Sequence, residues 1–315
     1  MFLRLGLVVL TIALTPPGLM AQIRPVAAVS LPDIVMTLLS SFVFGLVFGS
    51  FLNVVIYRLN PALKLKGGVF GRSMCPNCKT ILKWYDLIPL LSFIWLRRCC
   101  RYCHKKISWQ YPVVEILSGF IWVLMAYRLN FQFFPTFQSG SSISQPNLGN
   151  LGEIGTILNF IYYVFILSAL LVIAVYDFKW RIIPDKIVYP AIIAAILYNS
   201  FLALKFGDWQ NYFLNPLLMA VVLFAFLFFI FYFSSGRAMG LGDAKLAFLI
   251  GLFLSPLLAI VAFMLAFIIG AVFGIILIGL GKKSLKSQIA FGPFLVLGAT
   301  IAFFLSDFIN NFLIF

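Results

Sequence analysis

The sequence predicts an all-α polytopic membrane protein, with about eight transmembrane helices and a small loop domain between the first two. Two observations set the class. Of 315 residues, 63% are hydrophobic and 10% charged, where a soluble domain carries about 25% charged residues. Apolar runs of about 20 residues, the length that crosses a bilayer as a helix, recur along the chain. A membrane barrel would alternate apolar and polar residues, whereas segments such as 219–231 are apolar on every face.

The charge adds a third observation. The formal net charge is +14, and eleven of the 23 Lys/Arg lie between Arg58 and Lys106. Loops rich in Lys/Arg stay on the cytoplasmic side during insertion. The basic excess therefore reads as a topology signal, and no nucleic-acid partner is expected.

Taken in order, residues 1–30 form a signal-like or extra anchor segment: Arg4 precedes an apolar run at 5–14, then Pro16 and Pro17. The first span covers about 34–57 within a 31–58 segment. A basic cytoplasmic domain follows at 59–111, and residues 112–315 form the remaining membrane core. Spans are expected at about 112–127, 157–176, 186–204 and 214–233. Residues 129–156 carry no Lys or Arg and read as an extracytoplasmic loop. The run 246–280 is too long for one span and has lysines at both ends, so it is expected to fold as a hairpin. Ser255-Pro256 is the natural break, because proline disfavours helix in the residue before it. The eighth span is expected at about 289–312.

Two of the nine acids stand where apolar spans meet the cytoplasmic side. Asp177 ends the third span. Asp243 opens the sixth, in Gly240-Leu-Gly242-Asp243. Carboxylates at such depth are costly and usually functional. Facing each other across a water, two carboxylates share a proton, one acting as base and the other as acid. Gly240 and Gly242 are expected to let a substrate backbone approach and to permit unusual dihedrals. From spacing alone, helix capping and a simple water boundary explain both aspartates more readily than a dyad.

All five cysteines lie in the basic domain, where a cytoplasmic location keeps thiols reduced. Cys75-Pro-Asn-Cys78 and Cys100-Arg-Tyr-Cys103 give two thiolates each, the spacing of a closed structural zinc site. Cys99 is left as a spare and His104 as a solvated neighbour.

Several segments, in order, resemble bacterial type IV prepilin peptidases. They are 49–58 (GSFLNVVIYR), 72–78 (RSMCPNC), 84–89 (WYDLIP), 107–117 (ISWQYPVVEIL), 177–185 (DFKWRIIPD), 238–246 (AMGLGDAKL) and 291–294 (FGPF). The aspartate motifs also resemble the wider class of intramembrane aspartic proteases. The resemblance implies that Asp177 and Asp243 are the catalytic pair and Asp185 accessory. It implies prepilins or pseudopilins as substrates, cut at the cytoplasmic face of the bacterial inner membrane. It also implies N-methylation of the new terminus with S-adenosylmethionine. No glycine-rich nucleotide fingerprint locates that second activity; Asn53 and Glu115 are polar residues at membrane depth that fit either such a role or helix packing. The rival readings are a transporter, whose paths intramembrane acids also mark, and a non-enzymatic assembly factor.

Overall fold

A computed structural model describes residues 31–59, 73–129, 152–237, 239–281 and 290–313. The N-terminal segment 1–30 and most of the 129–156 loop lie outside the described residues. The long helices are α1 (Leu31–Arg58), α3 (Gln110–Arg128), α4 (Gly152–Trp180), α5 (Asp185–Phe206), α6 (Asn215–Phe233) and α8 (Pro256–Gly279). Between α1 and α3 lie a 3₁₀ turn, Trp84–Leu87, and the short α2, Leu91–Trp95. The shorter helices are α7 (Leu241–Phe253), α9 (Gly292–Phe304) and α10 (Ser306–Leu313), and a π-helical turn, Gln210–Leu214, leads into α6. Among the described residues β-pairing is limited to two isolated bridges.

Among the described residues six helices are long and apolar enough to span a bilayer, which makes this a multi-pass membrane protein. The other two expected spans, α7 and α9, have 13 residues each. At 1.5 Å per residue they reach about 20 Å, short of the ~30 Å hydrocarbon core. Both are lined with buried side chains, so protein rather than lipid surrounds them. The hairpin break falls where expected: α7 ends, Leu254 and Ser255 are extended, and Pro256 starts α8. A helix end inside a membrane protein leaves carbonyls without partners. Buried Asn199 on α5 answers one of them, its Nδ2 donating to the Leu252 carbonyl at 2.9 Å. Likewise Arg128, in the last turn of α3, donates Nη1 to the Phe303 and Phe304 carbonyls at 3.1 and 3.3 Å, where α9 stops.

Helix α4 is the hub. It packs against α1, α3, α5 and α9. Its apolar stretch is 67% buried, against 11–39% for the other five long helices. Helix α1 is held mainly by α3, through the small pair Gly45-x-x-x-Gly49, a spacing that lets membrane helices approach closely. A Cβ on Gly49 would lie 2.7 Å from the Glu115 Cα and 2.9 Å from the Ser118 Cβ. Gly49→Ala is therefore expected to push α1 off α3 at a cost of about 1–3 kcal/mol. A lowered thermal midpoint of the protein in detergent measures it.

Candidate active site and metal centre

Asp177 lies in the last turn of α4, which stops when Arg181 takes a left-handed φ of 55° and donates its N–H to the Asp177 carbonyl at 2.7 Å. Asp243 lies in the first turn of α7, after Gly240 in extended conformation. Its side chain reaches back over the helix entrance, Oδ2 accepting the Gly240 N–H at 3.1 Å. Spacing suggested Asp243 as the N-cap; the N-cap is instead Gly240, and Asp243, at the third helical position, closes the helix entrance from within. Asp177 and Asp243, only 4% and 9% exposed, line one cavity of about 290 Å³. Arg181, Ile183, Asp185 and Lys245 also form part of its wall.

Each aspartate is fixed by one backbone donor on one oxygen. For Asp177 it is the Gly292 N–H, 3.0 Å from Oδ2, at the start of α9. Among the described residues no protein donor holds Oδ1 of either side chain. Two pre-positioned carboxylates on one small cavity, each with an oxygen to spare, can bind and polarise a water. The sequence singled out Gly292 only as part of a resembling motif. Its reason is steric: a Cβ there would sit 2.7 Å from Asp177 Oδ2. Gly292→Ala is expected to turn the Asp177 carboxylate away and lower turnover about 10²-fold, as small misplacements do, with KM little changed. Steady-state kinetics on a purified substrate check this.

Gly240 and Gly242 do less than the sequence suggested. Gly240 has φ −84° and ψ 151°, open to any residue. The space beside Gly242 is filled by Ile183, whose Cβ would be 2.9 Å from an added Cβ. Gly242 serves the close packing of the 181–184 turn on α7, which closes one wall of the cavity. Asp185 makes no side-chain cap to its own helix. Instead its Oδ1 pairs with Lys245 Nζ at 2.7 Å, and Lys245 lies over the Tyr189 ring.

The four cysteines Cys75, Cys78, Cys100 and Cys103 are brought together, their sulfurs all within 4.8 Å of one another. A tetrahedral ion with Zn–S bonds of ~2.3 Å needs S···S edges of about 3.8 Å; Cys75 and Cys103 Sγ are 3.9 Å apart. The donor set fits zinc. It is built by two copies of one turn. Cys75 N–H donates to Thr80 O and Lys79 N–H to Cys75 O; Cys100 N–H donates to Lys105 O and His104 N–H to Cys100 O. Lys79 and His104 both have positive φ, 59° and 55°. The bridges Met74–Ile81 and Cys99–Lys106 flank them alike. This internal duplication at an offset of 25 residues escaped the sequence reading, because only the cysteines are shared. It places Cys99 where the first turn has Met74, and His104 where it has Lys79, so neither is in a ligand position. Hydrogen bonds from the Thr80 side chain and backbone lower the Cys78 thiol to about 6. Against the lowering pull of the Lys105 N–H, desolvation and the neighbouring thiols push Cys103 up to about 11.

Asn53 and Glu115 are both committed to the protein. Asn53 Nδ2 donates to the Tyr111 carbonyl at 3.0 Å, and Glu115 Oε2 accepts the Leu90 N–H at 2.9 Å. They are 2% and 7% exposed. These bonds use both side chains in packing between α1, α3 and the domain that joins them.

Comparison with known proteins divides the chain in the same two parts. The family model for the bacterial peptidase A24 N-terminal domain matches residues 43–129, and that for the type IV leader peptidase family matches residues 164–275. A prepilin leader peptidase/N-methyltransferase of Vibrio cholerae is 32% identical over 238 residues, covering 72% of this chain and 82% of that protein. The chain belongs to the type IV leader peptidase family. Proteins of the same name from Klebsiella pneumoniae and Pectobacterium carotovorum are 31% and 29% identical. The first alignment covers 68% of this chain and 83% of its relative, the second 84% and 92%. No solved structure was found to match the chain. This leader peptidase is a multi-pass membrane enzyme, and the two matched blocks are the parts holding the cysteine cluster and the aspartate cavity.

Proposed function

We propose that this leader peptidase removes the short basic leader of type IV prepilins or pseudopilins at the cytoplasmic face of the bacterial inner membrane, with Asp177 and Asp243 as its catalytic pair. One observation carries the reading: two acids, from helices far apart in sequence, line the same cavity, each held by a backbone N–H. Two carboxylates in such a setting hold one proton between them. The ionised one takes a proton from water, whose oxygen attacks the scissile carbonyl carbon. The protonated one gives its proton to the carbonyl oxygen. The proton taken from water then goes to the leaving amine as the C–N bond breaks, and a hydroxyl of the tetrahedral intermediate returns its proton to the other, now ionised, acid. The acids exchange roles through the cycle, so the pair rather than either residue titrates.

Four lines support the sidedness. The basic domain, Arg181, Lys245 and the aspartate ends of α4 and α7 belong to loops that the positive-inside rule assigns to one face. The cysteines Cys75, Cys78, Cys100 and Cys103 would hold a structural zinc, which supplies a fixed four-way link and no open ligand position. The relatives' second activity suggests that this chain also methylates the new N-terminal residue, with S-adenosylmethionine as methyl donor.

The test uses the full chain in membranes with a prepilin. Intact mass is expected to show loss of the leader. Adding S-adenosylmethionine is expected to add about 14 Da, one methyl in place of a hydrogen, on the mature terminus. A prepilin left uncut by well-expressed protein would reject the peptidase reading for that substrate class. Cleavage without the added mass would reject methylation alone.

A further inference from the structure

The short helix α2 belongs to the domain between α1 and α3, yet its position is set by the membrane helix α3. The N–H of Leu90, the residue before α2, donates to Glu115 Oε2 at 2.9 Å. Glu115 lies five residues inside a helix that begins at Gln110, about 7.5 Å along its axis at 1.5 Å per residue. Leu90 itself is held at φ 58° and ψ −48°, an unfavourable backbone for a side chain with a Cβ. At the other side of α2, the Phe93 ring packs on Trp109 at 5.3 Å.

Trp109 heads the lipid-facing stripe of α3. Residues Trp109, Val113, Leu117, Phe120 and Leu124 are all exposed, at the spacing of one helix face. Helix α2 therefore sits beside the place where that stripe enters the bilayer. Its own free face is apolar: Leu91, Ile94 and Trp95 are 59%, 70% and 86% exposed. Arg97, exposed, follows it directly, and the Arg98 guanidinium lies 5.2 Å over the Trp109 ring. An apolar face with a tryptophan, flanked by cations, is the composition that settles at the boundary of acyl chains and anionic headgroups.

We infer that α2 lies in the bilayer interface, with Leu91, Ile94 and Trp95 among lipid acyl chains and Arg97 on a lipid phosphate. The occupant of this face is an anionic phospholipid surface. Continuity with the lipid-facing stripe and complementarity of charge both select it. Glu115 is the positioning residue that holds α2 at this depth. The metal-binding domain is thereby docked on the membrane instead of swinging from its two helices. The inference rests on the membrane helices and stands apart from the assignment of Asp177 and Asp243.

The experiment places a photoreactive benzophenone amino acid at position 95 of the full chain, reconstituted in vesicles of phosphatidylethanolamine and phosphatidylglycerol. After irradiation, the protein is expected to gain the mass of one phospholipid. The same group at Leu39, 57% exposed on α1, is the reference for lipid contact. Adducts at 39 and none at 95 overturn the inference, and so does cross-linking from 95 to a second copy of the chain or another protein. A second arm uses Arg97→Gln with the label at 95. The ratio of phosphatidylglycerol to phosphatidylethanolamine adducts is expected to fall about fivefold, since one cation near an anionic surface contributes about 1 kcal/mol. An unchanged ratio overturns the phosphate contact.

Discussion

Asp177→Asn and Asp243→Asn are each expected to slow leader cleavage by about 10³-fold, within the range that a positioned acid or base contributes. Asparagine keeps the shape of aspartate and its acceptor oxygen. It can still receive the Gly292 N–H at position 177 or the Gly240 N–H at position 243, the bonds that fix these side chains. What it loses is the ability to hold and return a proton. Both variants should therefore express, reach the membrane and melt as the wild type does, while losing turnover. The double variant should be little worse than either single one, because residues that act as a unit are not additive. The wild-type rate should fall at both low and high pH, since the pair works with one proton between its members. Rates are read from prepilin consumed per enzyme at equal protein. Retention of even a tenth of the wild-type rate by either variant is incompatible with a two-aspartate mechanism.

The long spans were legible because their signal is length and apolarity, and neither depends on neighbours. So was the break at Ser255-Pro256, which proline imposes locally. What the sequence hid was pairing across the fold. Nothing local in Gly292 says that it faces Asp177, yet its N–H fixes that carboxylate. Asp185, accessory by resemblance, pairs with Lys245, sixty residues on. Gly240 and Gly242 were read as room for substrate, whereas the wall of Ile183 takes up the space beside Gly242. Asn199 and Arg128 have as partners the cut ends of short helices, which no local pattern announces. A 13-residue helix reads as a full span when the apolar sequence continues past its end. Lengths of α7 and α9 are decided by where the buried carbonyls find donors, which only the assembled fold reveals.

The second large effect is expected at the cysteine cluster. Between residues 73 and 109 the only buried residues are Cys75 and Cys100. The described part of the domain thus has almost no apolar core, and a domain this small needs a staple. A structural zinc supplies about 10–16 kcal/mol of apparent binding free energy in zinc-finger peptides. Cys100→Ser takes away one of the four proposed ligands, and its Oγ would be a poor donor for zinc. The paired turns are then expected to open. Exchange of the Cys75, Lys79, Cys100 and His104 amides, all hydrogen-bonded within those turns, should speed up at least about 10³-fold, which corresponds to ~4 kcal/mol of lost protection. A chelator on the wild type should give the same result, and amides of α4 should stay protected because that helix is buried among membrane helices. Cys99→Ser is the control that separates ligation from loss of any thiol. Cys99 matches Met74 in the duplicated turn and bridges to Lys106, so this variant should exchange like the wild type. Equal loss of protection in both serine variants would mean that the domain depends on thiol packing and not on a metal held by Cys75, Cys78, Cys100 and Cys103.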